Sequence, residues 1–233
     1  VIPSKYNYFA RKTDHVAREN ATVIAVDVAD QRLLGDLQEE FENQIDLNID
    51  HHISNTKFAK NLYLDADASA TAECIFELLM QMKVNINNIT AKAIYTGIAT
   101  DTGCFKYSNV TAKTHSIISM LYEYDLNAPE INRLMFDTKS KKLLELERMV
   151  LDSAEYHFDD KCILLTVTAE MQEKTGCSGT DLEGIAVITR SVEGVKAGVT
   201  IKQNGEDSFK VSVRTYKPLC ASEICKKLGG GGH

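Results

Sequence analysis

Two spacings of apolar residues alternate along the first half of the chain. "TVIAVDVAD" (22–30) opens with a β-branched apolar run that reaches Asp27, and "IDLNID" (45–50) is a second short run ending at Asp50. Both read as strands. Between them, "LGDLQEEFEN" (34–43) is polar with helical spacing. "ASATAECIFELLMQM" (68–82) sets Ala72, Ile75, Phe76, Leu79 and Met82 on one helical face, with Asp67 or Ser69 as its cap. "TAKAIYTGIAT" (90–100) predicts a second amphipathic helix capped by Thr90, and Thr111 opens a third, "TAKTHSIISMLYEY". Strands separated by helices predict an α/β domain: a parallel sheet with helices on both faces. In such sheets ligands bind at the carboxyl ends of the strands. Asp27 and Asp50–His52 stand where the two strands end.

Pro129 suits the first turn of a further helix. From about 130 to 156 the chain reads as helical, polar on one side, and serves as a connector. After it, "KCILLTVTAEM", "VKAGVTIKQ" and "DSFKVSVRTY" are strand-like, "DLEGIAVITRS" (181–191) is helical, and "SEICKKLGGGGH" is a short helix running into four glycines and a final His. The expected organisation is therefore an α/β domain over 1–125, a helical connector over 126–156 and a small α+β domain over 157–233.

Composition narrows the class without deciding it. The chain has 233 residues, 44% hydrophobic and 25% charged, as in ordinary globular proteins. It has no run of 18 apolar residues and no signal-peptide pattern at its start, so no membrane partner is expected. The net charge of −7 argues against broad coating of nucleic acid. Six cysteines at uninformative spacings, with no CxxC, read as reduced thiols of a cytoplasmic protein. The absence of an initiator Met leads us to expect a longer gene product.

The chemistry concentrates in "LNIDHHISN" (47–55). Asp27, His51 and Asp101 offer carboxylates and an imidazole, the ligand set of a hard divalent cation such as Mn²⁺. A strand-end Asp can bridge two ions, and a pair about 3.5–4 Å apart activates water and steadies phosphoryl charge. His52 is suited to contact the phosphate, and Asp50 to fix the tautomer of a neighbouring imidazole. The blander readings are a solvated His-His turn, a helix cap at Asp27 and an Asx turn at Asp101. What favours the metal is that each of the three groups follows a periodic segment of the same domain. Three ligands fall short of the six donors or so that each ion wants, so further ligands are expected upstream of Val1 or elsewhere.

The "LGGGGH" run (228–233) is either a flexible tail or an anion cradle, where glycine N–H groups approach closely because no Cβ intervenes. The preceding "CKK" and strand residue Arg214 favour the cradle. Cys104 has no base near it in sequence and reads as a packing residue; His15, His115 and His157 sit in polar contexts.

"VIAVDVAD", "NIDHHISN", "YTGIATDTGCFKYSNVT" and "LGGGGH" occur in the order seen in the DHH family of phosphoesterases, and the last resembles the signature of the associated DHHA1 substrate-binding domain. "YLDADASATAECIFELL" is similar to the segment that follows the DHH motif in the bacterial nanoRNase/pAp phosphatase subgroup. The resemblance implies a two-domain fold with its active site in the cleft. It implies two Mn²⁺ ions, or Mg²⁺, and hydrolysis of phosphoester bonds in short oligonucleotides, 3'-phosphoadenosine 5'-phosphate (pAp) or cyclic dinucleotides. Asp27 would bridge the metals, with His51 and Asp101 as ligands and His52, backed by Asp50, on the scissile phosphate. Arg214, Gly230, Gly231, Gly232 and His233 would hold the far end of the substrate. Analogy also gives a homodimer. The family's first motif, a His and two Asp ligands, lies before the point where this chain begins, which matches the ligand shortfall. A pyrophosphatase-type site would carry more lysine and arginine than the single Arg214 recognised in the second half, and a nucleotide-binding protein without metals is the non-enzymatic alternative.

Overall fold

A computed structural model describes residues 6, 8, 21–182 and 184–230. The chain divides into two compact units, Val1–Thr138 and Lys139–His233.

The first unit carries a three-stranded parallel sheet, ordered β1 (Ile24–Val26), β2 (Leu47–Asp50) and β3 (Asn61–Leu64). The ladder runs one residue past each strand: Asp27 N–H donates to Ile49 O (2.9 Å) and Asp65 N–H to Asp50 O (3.2 Å). Asp27, Asp50 and Asp65 thereby stand together along one edge. β3 was not foreseen; "NLYL" is only four residues long and its partner lies elsewhere in the sequence. A 3-10 segment, Gln31–Leu37, precedes the single turn of α1 (Gln38–Phe41).

Helices α2 (Thr71–Gln81), α3 (Asn88–Asp101), α4 (Ala112–Leu121) and α5 (Ala128–Asn132) complete this unit. α2 faces two ways. Phe76, with Ala72 and Leu79, packs into a core with Ile94, Tyr95 and Ile98 of α3 and Ile117, Ile118 and Leu121 of α4. Cys74, with Ile75 and Leu78, packs on Ile49 and Ala68. Met82, expected on the buried face, is 70% exposed because the helix has already ended.

The caps differ from expectation. α2 has Ala70 at its N-cap and no side-chain cap, since the Ser69 hydroxyl donates to Glu73 instead. α3 is capped by Asn87, whose side chain accepts from the Thr90 N–H. Thr111 does cap α4, in a reciprocal pair with Thr114. Pro129 occupies the first turn of α5.

The stretch read as a connector is not one helix. α5 and the π-turn Arg133–Asp137 lie in the first unit, residues 138–140 are extended, and α6 (Lys141–Asp152) lies in the second. Leu146 and Val150 of α6, one turn apart, are fully buried against Ile163, Leu165 and Val167. Those three alternate along β5 (Cys162–Val167), one face of a four-stranded sheet ordered β4 (Glu155–His157), β5, β6 (Ala197–Gln203) and β7 (Phe209–Thr215). β5 and β6 are parallel and the other pairs antiparallel. The parallel crossover runs through α7 (Ala169–Thr175) and α8 (Ile185–Ile188). α8 is shorter than the expected 181–191, and 3-10 turns flank it. α9 (Ala221–Lys227) follows β7. Among the described residues no helix is long and apolar enough to cross a membrane, and all six cysteines are free thiols.

Candidate metal centre

The strand ends gather the predicted groups. His51 Nε2 lies 3.8 Å from Asp27 Oδ1 and 3.6 Å from Asp101 Oδ2. Asp101 is the last residue of α3 rather than a residue beyond it. Asp27, His51 and His52 each offer a ligand atom within 4.8 Å of the others. The two imidazoles meet edge to face, with centroids 4.6 Å apart.

Each ring is fixed through Nδ1. His51 Nδ1–H donates to Ala68 O (3.1 Å), which directs the Nε2 lone pair toward the two carboxylates. A backbone carbonyl in that role is what orients a metal-binding imidazole. His52 Nδ1–H donates to Asp50 Oδ1 (2.7 Å), so a proton exchanged with a ligand passes through Nε2.

Asp50 is fully buried. Burial pushes its pKa up, but donors from Asn55, His52 and the His51 N–H outweigh it and hold the carboxyl below its ordinary value. Asn55 Nδ2 donates to Asp50 Oδ2 (2.6 Å) and to Asn48 Oδ1 (2.7 Å). Asp101 goes the other way: burial and the neighbouring Asp27 raise its pKa, only partly offset by His51 and His52.

Asp27 is held in the left-handed region, at φ 63°. Asp tolerates this better than most residues, and the turn throws its carboxylate off the strand end toward His51. Thr71, at the start of α2, donates its hydroxyl to Asp27 Oδ1 (2.7 Å). Asn109 Nδ2 donates to Ser69 O (2.9 Å) and Asp101 O (3.2 Å), tying the Ala68–Thr71 segment to the end of α3. Thr71, Asn55 and Asn109 were not recognised from sequence. Each lies in a quoted motif, but its partner is set by the fold.

The donor set fits a hard cation: carboxylate oxygens and an imidazole nitrogen, all partly accessible, with no thiolate among them.

In the second unit, Arg214 sits on β7 and its guanidinium donates to Val213 O (3.2 Å). Gly230 N–H donates to Cys225 O (2.8 Å), closing the end of α9, and Gly229 takes φ 78° there. The described part of the glycine run thus finishes a helix. Gly231, Gly232 and His233 lie outside the described residues, as does His15. The reading of Arg214 as the single basic group was incomplete: Lys202 and Lys210 share its face of the sheet.

A parallel sheet with Asp and His at its carboxyl edge, followed by helices, makes the first unit an α/β domain with a candidate metal centre at the strand ends. Comparison makes this specific. Residues 2–98 match the DHH family, N-terminal domain. The chain is 33% identical over 215 residues to the bifunctional oligoribonuclease and PAP phosphatase NrnA of Thermus thermophilus, covering 91% of this chain and 63% of that protein. It is 25% identical over 229 residues to the protein of the same name from Bacillus subtilis, covering 97% and 72%. The crystal structure of an exopolyphosphatase-related protein from Bacteroides fragilis superposes with a TM-score of 0.83 at 25% identity, over 92% of this chain and 64% of that one. The chain thus spans just under two thirds of the Thermus relative.

Proposed function

We propose that the protein is a metal-dependent phosphoesterase that hydrolyses phosphate ester bonds of short oligonucleotides, pAp or both. The observation that carries this reading is the convergence of Asp27 and Asp101 on His51 Nε2, with the opposite ring nitrogen locked by Ala68 O. Asp27, His51 and Asp101 would hold the divalent ions, Mn²⁺ or Mg²⁺, two by the family resemblance. When bound, such ions supply an activated water and neutralise charge on the phosphoryl group. His52 holds a proton at Nδ1 against ionised Asp50 and presents Nε2 to a phosphoryl oxygen. Asn55, by donating to Asp50, keeps that carboxylate charged and His52 in place. Thr71 occupies one lone pair of Asp27 and limits the directions from which a cation is met. The similarity to two proteins named oligoribonuclease and PAP phosphatase supports nucleotide substrates.

The test is turnover of pAp, a dinucleotide, a cyclic dinucleotide and pyrophosphate by the full-length protein with Mn²⁺. We expect hydrolysis of pAp or the dinucleotide, and preference over pyrophosphate. Turnover no higher than that of Asp101→Ala overturns the proposal. Tight nucleotide binding without turnover points to the non-enzymatic alternative.

A further inference from the structure

Among the described residues two carboxylates are fully buried, Asp50 and Glu73. Asp50 is matched by three donors, from Asn55, His52 and the His51 N–H. Glu73 has one: the Ser69 hydroxyl donates to its Oε1, while its Oε2 is buried with no partner. A buried carboxylate left half satisfied is costly, and an apolar side chain at this place in α2 would avoid the cost. The first turn of a helix favours a negative charge, which offsets part of the penalty. The carboxylate does not serve as a cap, however. Ser69 stands one residue before the N-cap Ala70, four positions from Glu73 rather than the three of a capping box, and the two side chains bond each other.

That bond acts on the segment around which the candidate ligands are arranged. Ala68, Ser69, Ala70 and Thr71 are all buried, and each candidate ligand is steadied from here. His51 Nδ1–H donates to Ala68 O (3.1 Å), and the Thr71 hydroxyl donates to Asp27 Oδ1 (2.7 Å). Ser69 O accepts from the Asn109 amide that also donates to Asp101 O (3.2 Å). We propose that Glu73 is a positioning residue for the metal centre: through Ser69 it fixes the Ala68 carbonyl, and through that carbonyl the tautomer and direction of His51. Without Glu73 the Ser69 hydroxyl would be a buried donor with nothing to accept from it. The Ala68–Ser69 peptide would then turn to satisfy it, taking Ala68 O off His51. This deepens the metal-dependent reading and rests on it for the role of His51; the lock itself is a property of the metal-free chain.

The experiment compares full-length wild type with Ser69→Ala, Glu73→Gln and the double variant Ser69→Ala with Glu73→Leu. Long-range proton–nitrogen NMR of the metal-free protein, above the ordinary histidine pKa, reads the tautomer of each imidazole. Calorimetry reads Mn²⁺ affinity, and thermal melting reads stability. Wild type should show His51 and His52 both protonated at Nδ1. In the double variant His51 should become a mixture of tautomers while His52, which Asp50 holds, stays as it was. Its Mn²⁺ affinity should fall about tenfold, the usual effect of losing an orienting partner. Because both partners of a buried bond become apolar, its metal-free melting temperature should match or exceed that of wild type. Glu73→Gln keeps an acceptor for Ser69 and should retain the wild-type His51 tautomer and Mn²⁺ affinity. If the double variant does not fold, Ser69→Ala alone decides, by the same change at His51. An unaltered His51 tautomer overturns the proposal, as does a loss in Glu73→Gln equal to that of the double variant. So does a joint change of His51 and His52 with a lower melting temperature, the mark of a general structural role. Turnover is scored separately: a wild type that binds Mn²⁺ but hydrolyses no nucleotide leaves the lock standing and removes the phosphoesterase reading. In a wild type that binds no Mn²⁺, the His51 tautomer alone decides.

Discussion

Asn55→Ala tests whether the site is held together by one buried amide. Asn55 Nδ2 donates to Asp50 Oδ2 at 2.6 Å and to Asn48 Oδ1 at 2.7 Å, and both acceptor residues are fully buried. A hydrogen bond to a charged group contributes about 1.5–3 kcal/mol, and a buried acceptor left without its donor costs about 1–3 kcal/mol. The two bonds share one nitrogen and are not additive, so a loss of about 3 kcal/mol is expected. With a slope of about 2 kcal/mol per molar urea, that is a midpoint shift of about 1.5 M. The chain contains no tryptophan, so unfolding is followed by far-UV circular dichroism, with hydrogen exchange of the β2 amides assigning the transition to the first unit. Asn55→Asp should lose more, because it sets a second carboxylate against Asp50, and its deficit should shrink as the pH falls and one carboxyl takes a proton. A shift under about 0.5 M for Asn55→Ala would mean that water replaces the amide and that Asp50 is held by the two His51 and His52 donors alone.

Thr71→Val removes the donor to Asp27 Oδ1 and should raise the Mn²⁺ concentration for half-maximal activity about tenfold, the usual effect of losing an orienting partner, with the circular dichroism unchanged. Gly97→Ala would bring a new Cβ to 2.7 Å from Ala72 Cβ. It should destabilise by about 1–3 kcal/mol through overpacking between α2 and α3, and Ala72→Gly in the same chain should recover part of the loss. Lys113 bridges Asp65 and Glu77 at 2.9 Å each, and its hydrogen bond holds the Asp65 pKa below the ordinary carboxylate value. A depressed carboxylate stabilises above its unfolded pKa and loses that contribution as pH falls through the folded one. Lys113→Met should therefore melt lower than wild type at neutral pH, with the gap closing in acid; a gap independent of pH would refute the coupling. Mn²⁺ at about a hundred times its dissociation constant should stabilise the first unit by about 2.7 kcal/mol, and chelation should remove that gain; equal urea midpoints with and without the ion would count against a metal centre.

The parts of the site visible in sequence are those that depend on local pattern. An apolar run cut off by Asp marks a strand end, and the structure sets Asp27 within 4 Å of both His51 and His52 and Asp50 against His52. α3 and α4 were legible from their apolar spacing. The side chains that steady the site were not, because their partners are distant: Thr71 reaches a residue 44 positions away and Asn109 one 40 away. The cap of α2 was misjudged for a related reason. A serine beside a helix start normally caps it, but here Ser69 points to buried Glu73. Lys202 and Lys210 look like ordinary strand lysines until the register of β6 and β7 sets them opposite each other.

The first unit is rigid where it needs direction and strained where it needs charge. Both imidazoles are locked through Nδ1, one by a carbonyl and one by a buried carboxylate, so the nitrogens that meet a ligand are positioned before it arrives. The two outer carboxylates are treated differently. Asp27 adopts a left-handed backbone, and Asp101 is pushed toward its neutral form by burial and by Asp27 itself. The Thr71 hydroxyl on Asp27 and the Asn109 amide on the Asp101 carbonyl hold the two residues there, without neutralising either carboxylate. Strain and like-charge crowding persist at positions that a ligand will complete, and a divalent cation would remove the crowding of Asp27 and Asp101 while using the preset His51 Nε2.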